Sequence, residues 1–225
     1  DSLNLTINYT TSSTTIDTAC DSYTWNGTTY TSSGTYNYAG SSNNYSMSFD
    51  GNNDNINIAN PVTVQTFMGW IKVGPNAVQG DAIISSGSNA FIRIIEQSPN
   101  YVLGFNSPSG IGGPDPEGQI TFQESVWTFI SVVFSNGSMT FYVNGAQDAT
   151  FNENSFSASW IGTQGVQGHN IDAEFDNFSI WNTALTSAEI NQYMNCPLTG
   201  NETGLVGYWD FEEGSGSFTQ DSVNS

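Results

Sequence analysis

Apolar residues in this chain recur with a period of two, in short runs parted by turn signals, and helix signals are almost absent. This pattern restricts the fold more than any other feature, because alternating side chains belong to strands with one buried face. Tyr45, Met47 and Phe49 alternate with Ser46, Ser48 and Asp50, and Ile56 and Ile58 follow a turn at Gly51-Asn52-Asn53. Thr66 to Val73, Ala82 to Ser85 and Phe91 to Ile95 read as further strands. Trp127 to Phe134 is nearly continuous apolar sequence, as a strand buried on both faces should be. Met139, Phe141 and Val143 lead into Asn144-Gly145, a two-residue hairpin signal. Phe175 to Trp181 and Leu205 to Phe211 are the last strands, and the Gly/Pro-rich stretch 107–118 reads as a loop. One helix is expected from Thr186 to Tyr193, with Thr186 as cap and Glu189 completing a capping box. Many short strands with one short helix imply an all-β, two-sheet antiparallel jelly-roll sandwich.

Residues 1–40 read differently from residues 41–225. Leu3, Leu5 and Ile7 alternate with polar residues, and a Ser/Thr-rich stretch follows. Asn26-Gly27 between Tyr23-Thr24-Trp25 and Thr28-Thr29-Tyr30 is a hairpin signal. We read 1–40 as a small β module, too short for a core of its own, and 41–225 as the sandwich.

The charge balance limits the partners. Of 225 residues, 21 are acidic and two are basic, Lys72 and Arg93, for a net charge of −19. No basic patch can be built for nucleic acid or for an anionic membrane. No apolar run is long enough for membrane insertion. An acidic surface of this kind serves solubility in a salty medium, collects cations, or does both. The richness in Ser, Thr, Asn and Gly suits an extracellular bacterial β-protein. Cys20 and Cys196 lack metal-site spacing. In a secreted chain they suggest one disulfide between the two ends; the alternative is two unpaired thiols.

Four segments, in order, resemble the laminin-G-like, concanavalin A-type jelly roll of bacterial surface proteins. They are Tyr45-Ser46-Met47-Ser48-Phe49-Asp50-Gly51, Phe67-Met68-Gly69-Trp70-Ile71-Lys72, the stretch from Trp127 to Gly145, and Phe175 to Leu185 with its helix. Cys20-Asp21-Ser22-Tyr23-Thr24-Trp25-Asn26-Gly27 resembles a repeat of large secreted proteins of Bacteroidetes-type bacteria. Gly204 to Gly214 resembles a segment that often flanks such jelly rolls. The resemblance implies a lectin-like recognition or adhesion module, displayed on the bacterial cell surface, with a glycan or other cell-surface ligand.

Asp172, Glu174 and Asp176 alternate on one strand, and Phe178 and Ile180 are expected to continue their face. Carboxylates in line with core residues need compensation, and the chain has few cationic side chains. A bound cation answers this, and oxygen-only ligands favour Ca²⁺. The resemblance implies Asp50, a backbone carbonyl near Gly51, Asp54 and Asp176 as ligands, and the alternating strand adds Asp172 and Glu174 to the set. The competing reading puts Asp172 and Glu174 in a solvated loop. For the ligand surface, the 107–118 loop with Asp115 and Glu117 and the 163–172 loop with His169 are candidates, with Trp160 or Trp25 as sugar-stacking platforms. Trp70, Trp127, Trp181 and Trp209 are expected in the core. Two rival functions stand beside the lectin. One is a structural stalk unit that joins neighbouring copies by donating Leu3–Ile7. The other is a glycanase using carboxylates of the 172–176 strand. No nucleophile motif surrounds His169, the single histidine, and we expect binding and not catalysis.

Overall fold

Period-two alternation becomes fifteen strands among the described residues, and the capped segment becomes one helix. The computed structural model describes residues 23–25, 28–30, 43–87, 90–107, 115–165, 168–216 and 218–223. The chain divides into two units, Asp1–Gly40 and Ser41–Ser225. In the first, β1 (Tyr23–Trp25) pairs antiparallel with β2 (Thr28–Tyr30) across Asn26-Gly27, as the hairpin signal requires. Leu3–Ile7 and Cys20 lie outside the described residues, as do all side chains of this unit, Trp25 included.

In the second unit the strands are β3 (Met47–Asp50), β4 (Ile56–Thr63), β5 (Thr66–Val73), β6 (Ala82–Ser85), β7 (Phe91–Gln97), β8 (Asn100–Asn106) and β9 (Phe122–Gln123). They continue with β10 (Thr128–Ser135), β11 (Ser138–Val143), β12 (Ala146–Phe151), β13 (Ser157–Ile161), β14 (Asp172–Trp181) and β15 (Leu205–Trp209). Helix α1 (Ser187–Asn195) separates the last two. A seven-stranded sheet runs β12-β11-β10-β5-β14-β15, with β3 also paired to β14. A six-stranded sheet runs β4-β13-β6-β7-β8-β9. All pairings are antiparallel, so the fold is the expected two-sheet sandwich.

The main core lies between the sheets. Phe67, Ile71, Ile130, Val132, Phe134, Phe175 and Phe178 from one sheet meet Ile92, Ile94, Leu103 and Phe105 from the other. The apolar run of β10 is buried on both faces because α1 covers part of the outer side. There Met68, Phe129, Trp181, Leu185 and Ile190 form a second apolar cluster, and Tyr193 stacks on Trp181 at 4.9 Å between ring centroids. The capping box at Thr186 and Glu189 is present and holds the helix start over this cluster. Among the described residues no helix is long and apolar enough to cross a membrane.

β14 is bonded along one side to β5 and on the other to two half-length strands. β3 pairs with Asp172 to Phe175, and β15 pairs with Phe178 to Trp181. Where they meet, the register with β5 shifts between Asp176 and Ser179, and Asn177 has φ 51°. This bulge reverses the facing of every later residue. Ala173, Phe175, Phe178 and Ile180 therefore all point into the main core, and Phe175 stacks on Phe178 at 4.4 Å. The expectation that Phe178 and Ile180 share a face with the three carboxylates is thus corrected. The carboxylates point outward, and Trp181 lies on their side.

Candidate functional site

The half of the seven-stranded sheet that α1 leaves uncovered carries polar side chains in rows across the strands. Ser48 of β3 lies opposite Glu174 of β14, which lies opposite Lys72 of β5. Lys72 reaches Trp127, one residue before β10, with Nζ 5.4 Å from the indole centroid. In the neighbouring row Asp50 lies opposite Asp172. These rows border a groove of about 220 Å³ lined by Ser48, Lys72, Gly74, Ser125, Asp172 and Glu174, among others.

The groove's side chains are held by local bonds. Lys72 Nζ lies 2.5 Å from Glu174 Oε1, and Ser46 Oγ donates to Glu174 Oε2 at 3.2 Å. The amide of Asn76 donates to Asp172 Oδ2 at 2.7 Å. A side chain at Gly74 would collide with the Asp172 carboxylate, since a Cβ there would lie 2.2 Å from Oδ1. The amide of Ser125 donates to the Val73 carbonyl at 2.8 Å and fixes the groove's far wall. Trp127 is 36 % exposed, against the expectation that it is core. Trp70 is half-buried, whereas Trp181 and Trp209 are buried as expected. Trp127, Lys72, Ser48 and Ser125 were not expected from sequence at a binding site, because only the folded sheet brings them beside Glu174.

The six residues expected to bind Ca²⁺ do not form one shell. Asp50 accepts from the Asn52 amide at 2.9 Å, which holds its carboxyl below the usual range, and Asp54 accepts from the Asp50 amide at 3.0 Å. Asn170 donates to the Asn52 carbonyl, and Gly51, with φ 79°, packs against Asp172. Glu174 faces Lys72. Asp176 is buried one row away and accepts from Asn43 Nδ2 at 2.6 Å and Asn177 Nδ2 at 3.1 Å. Burial pushes its carboxyl up to about 6, against the lowering effect of the Asn43 bond. Tyr208 donates to Asn177 Oδ1 at 2.6 Å and so braces the bulge. Among the described residues no three of His, Cys, Asp and Glu gather closely enough to hold a metal ion.

The residues expected to bind a ligand lie on or beside the outer side of the other sheet. Trp160 of β13, Ser85 of β6 and Phe91 of β7 share one row. Arg93 lies opposite Gly104, which in turn bridges to Glu117. Arg93 Nη2 pairs with Asp115 Oδ2 at 2.8 Å, and His169 lies 5.8 Å from the Phe91 ring. Beneath His169, buried Asp81 accepts from the Val78 amide at 2.8 Å, and burial pushes its carboxyl up to about 6. Loops lie against the Trp160 indole: a Cβ at Gly87 or Gly165 would come within 3.0 Å of its Nε1. Trp160 is half-buried by this packing. Cys196, also half-buried, closes the end of α1 and forms no disulfide among the described residues.

The description of the concanavalin A-like lectin/glucanase superfamily, laminin-G type, matches residues 50–191, more than half of the chain. The chain belongs to this superfamily. No curated protein matches it. Among solved structures, a candidate carbohydrate-binding protein of Bacteroides ovatus superposes with a TM-score of 0.56 at 14 % identity. That likeness covers 75 % of this chain and 52 % of the other, so the chain spans about half of that protein. A heptameric SAP-like pentraxin of Limulus polyphemus gives 0.54 at 16 % identity, over 77 % and 90 % of the two chains. The superfamily match takes in Lys72, Trp127, Asp172 and Glu174 but stops before β15, whose Trp209 and the following Phe211 are core residues.

Proposed function

We propose that residues 41–225 form a carbohydrate-binding module whose ligand lies in the groove on the seven-stranded sheet. The exposed Trp127 ring beside a row of polar side chains carries this reading. An indole face offers an apolar platform for the C–H face of a sugar ring. Lys72 donates to sugar oxygens, Asp172 and Glu174 accept from hydroxyls, and Ser48 and Ser125 do either. The superfamily membership and the Bacteroides ovatus neighbour, itself a candidate carbohydrate binder, support it. Display outside the cell and a role in adhesion belong to the same proposal. The groove reading does not depend on a bound calcium ion.

A glycan array with the intact chain, followed by calorimetry on the best oligosaccharide, tests the reading. Trp127→Ala is expected to weaken binding on the order of tenfold or more with only a small fall in the thermal midpoint, since the residue is 36 % exposed and lies outside the core. No bound glycan, or a variant that binds like the parent, would overturn the proposal. One observation favours a second reading, the glycanase, since Asp172 and Glu174 both line the groove. Glu174 is already engaged by Lys72 and Ser46, and Asp172 by Asn76, so both serve better as fixed acceptors. Reducing ends released from the bound oligosaccharide would decide for catalysis.

A further inference from the structure

We infer that the groove selects uncharged glycans against acidic ones, and that Asp172 is the residue that discriminates. The inference rests on the groove being the glycan site. Four charged side chains occupy its two rows: Asp50, Asp172, Glu174 and Lys72. The Lys72 ammonium is held against Glu174 at 2.5 Å, so this pair cancels. Asp50 and Asp172 face each other across the β3–β14 ladder with no cationic side chain in their row. The chain's other base, Arg93, lies on the opposite sheet and is paired with Asp115 at 2.8 Å.

A sugar carboxylate or sulfate entering the groove therefore meets an excess of negative charge and finds its one cation occupied. Breaking the Lys72–Glu174 pair to bind the newcomer leaves Glu174 uncompensated on a half-buried sheet face. The rest of the molecule adds to the repulsion, at a net charge of −19. Hydroxyl groups meet no such cost. They are donors, and carboxylates are acceptor-only groups with open lone pairs. Asp172 has the larger part because it lines the groove, whereas Asp50 is engaged in its own turn with Asn52. An amide fits its place, since Asn76 still finds an oxygen acceptor and the close packing of Gly51 and Gly74 is undisturbed.

The test compares neutral oligosaccharides with their sialylated, uronate-bearing and sulfated counterparts at low and high salt. Neutral glycans should bind alike at both. Acidic counterparts should bind weaker at low salt, on the order of threefold or more, and recover as salt screens the field. Asp172→Asn should narrow the neutral-to-acidic ratio. Glu96→Gln, which removes the same charge from an exposed site on the other sheet, should leave the ratio as it was. Acidic glycans binding as well as neutral ones at low salt, or a ratio that moves equally in both variants, would overturn the inference and leave the groove as the glycan site. An array with no bound glycan of any class overturns both.

Discussion

Asn177 decides where ten residues of sequence point. Its left-handed backbone, φ 51°, lets β14 insert a bulge between Asp176 and Phe178. Asn tolerates this conformation better than other side chains with a Cβ, and its amide oxygen also holds Tyr208. Asn177→Ala should lose both advantages and cost about 1–3 kcal/mol, read from the shift of a urea unfolding midpoint. A variant as stable as the parent would show that the bulge does not depend on this residue. The alternation of Asp172, Glu174 and Asp176 was legible in the sequence, and so was the apolar series after it. The change of face between them was not, because a single Asn inside a strand pattern does not announce a bulge. Trp127 was misjudged for a related reason. It opens an apolar run, yet it stands one residue before β10, opposite Lys72, on the half of the sheet that α1 does not reach.

At the scale of elements, strand existence was legible and strand adjacency was not. The β11–β12 hairpin at Asn144-Gly145 follows from its turn, where both residues have positive φ. The helix follows from its capping box. No local signal says that β5 lies between β10 and β14, which is what places Lys72 between Trp127 and Glu174. β15 makes the same point from the other side. It lies outside the superfamily match, yet it supplies half of the outer edge of β14. Glu212, just beyond it, accepts from the amides of Asn44 and Tyr45 and ties the chain after β15 to the chain before β3. Trp209 is 4 % exposed and packs in the main core. Trp209→Ala should therefore destabilise the whole sandwich by about 3–5 kcal/mol, as for a central core aromatic. A loss below about 1 kcal/mol in denaturant titration would mean that β15 is an appendage.

At the scale of the molecule, charge governs how stability responds to pH. Asp81 and Asp176 hold a proton more tightly in the fold, at about 6, than the ordinary value of 3.8, chiefly because they are buried. Their contribution is fully present below the unfolded value and is lost as pH rises through 6. Asp50 and Glu189 act in the opposite sense. Amide donors lower both, so their contribution is lost as the pH falls below the ordinary carboxylate range. Acidification from pH 7 to about 5 should thus raise the thermal midpoint by at least about 2–4 °C, and lessened self-repulsion adds to the rise. Further acidification should bring it down again. Asp81→Asn and Asp176→Asn should flatten the first limb, and a midpoint that falls steadily from pH 7 would contradict the account.

The scarcity of basic residues has a consequence for resistance to proteolysis. A protease that cuts after lysine or arginine finds two targets in this chain, Lys72 and Arg93. Both lie within strands, hydrogen-bonded on two sides, and both side chains are engaged by carboxylates. Cleavage needs an extended, accessible segment, which neither offers until a sheet opens. Digestive enzymes of the trypsin type should meet a native surface with nothing on the sandwich to grip.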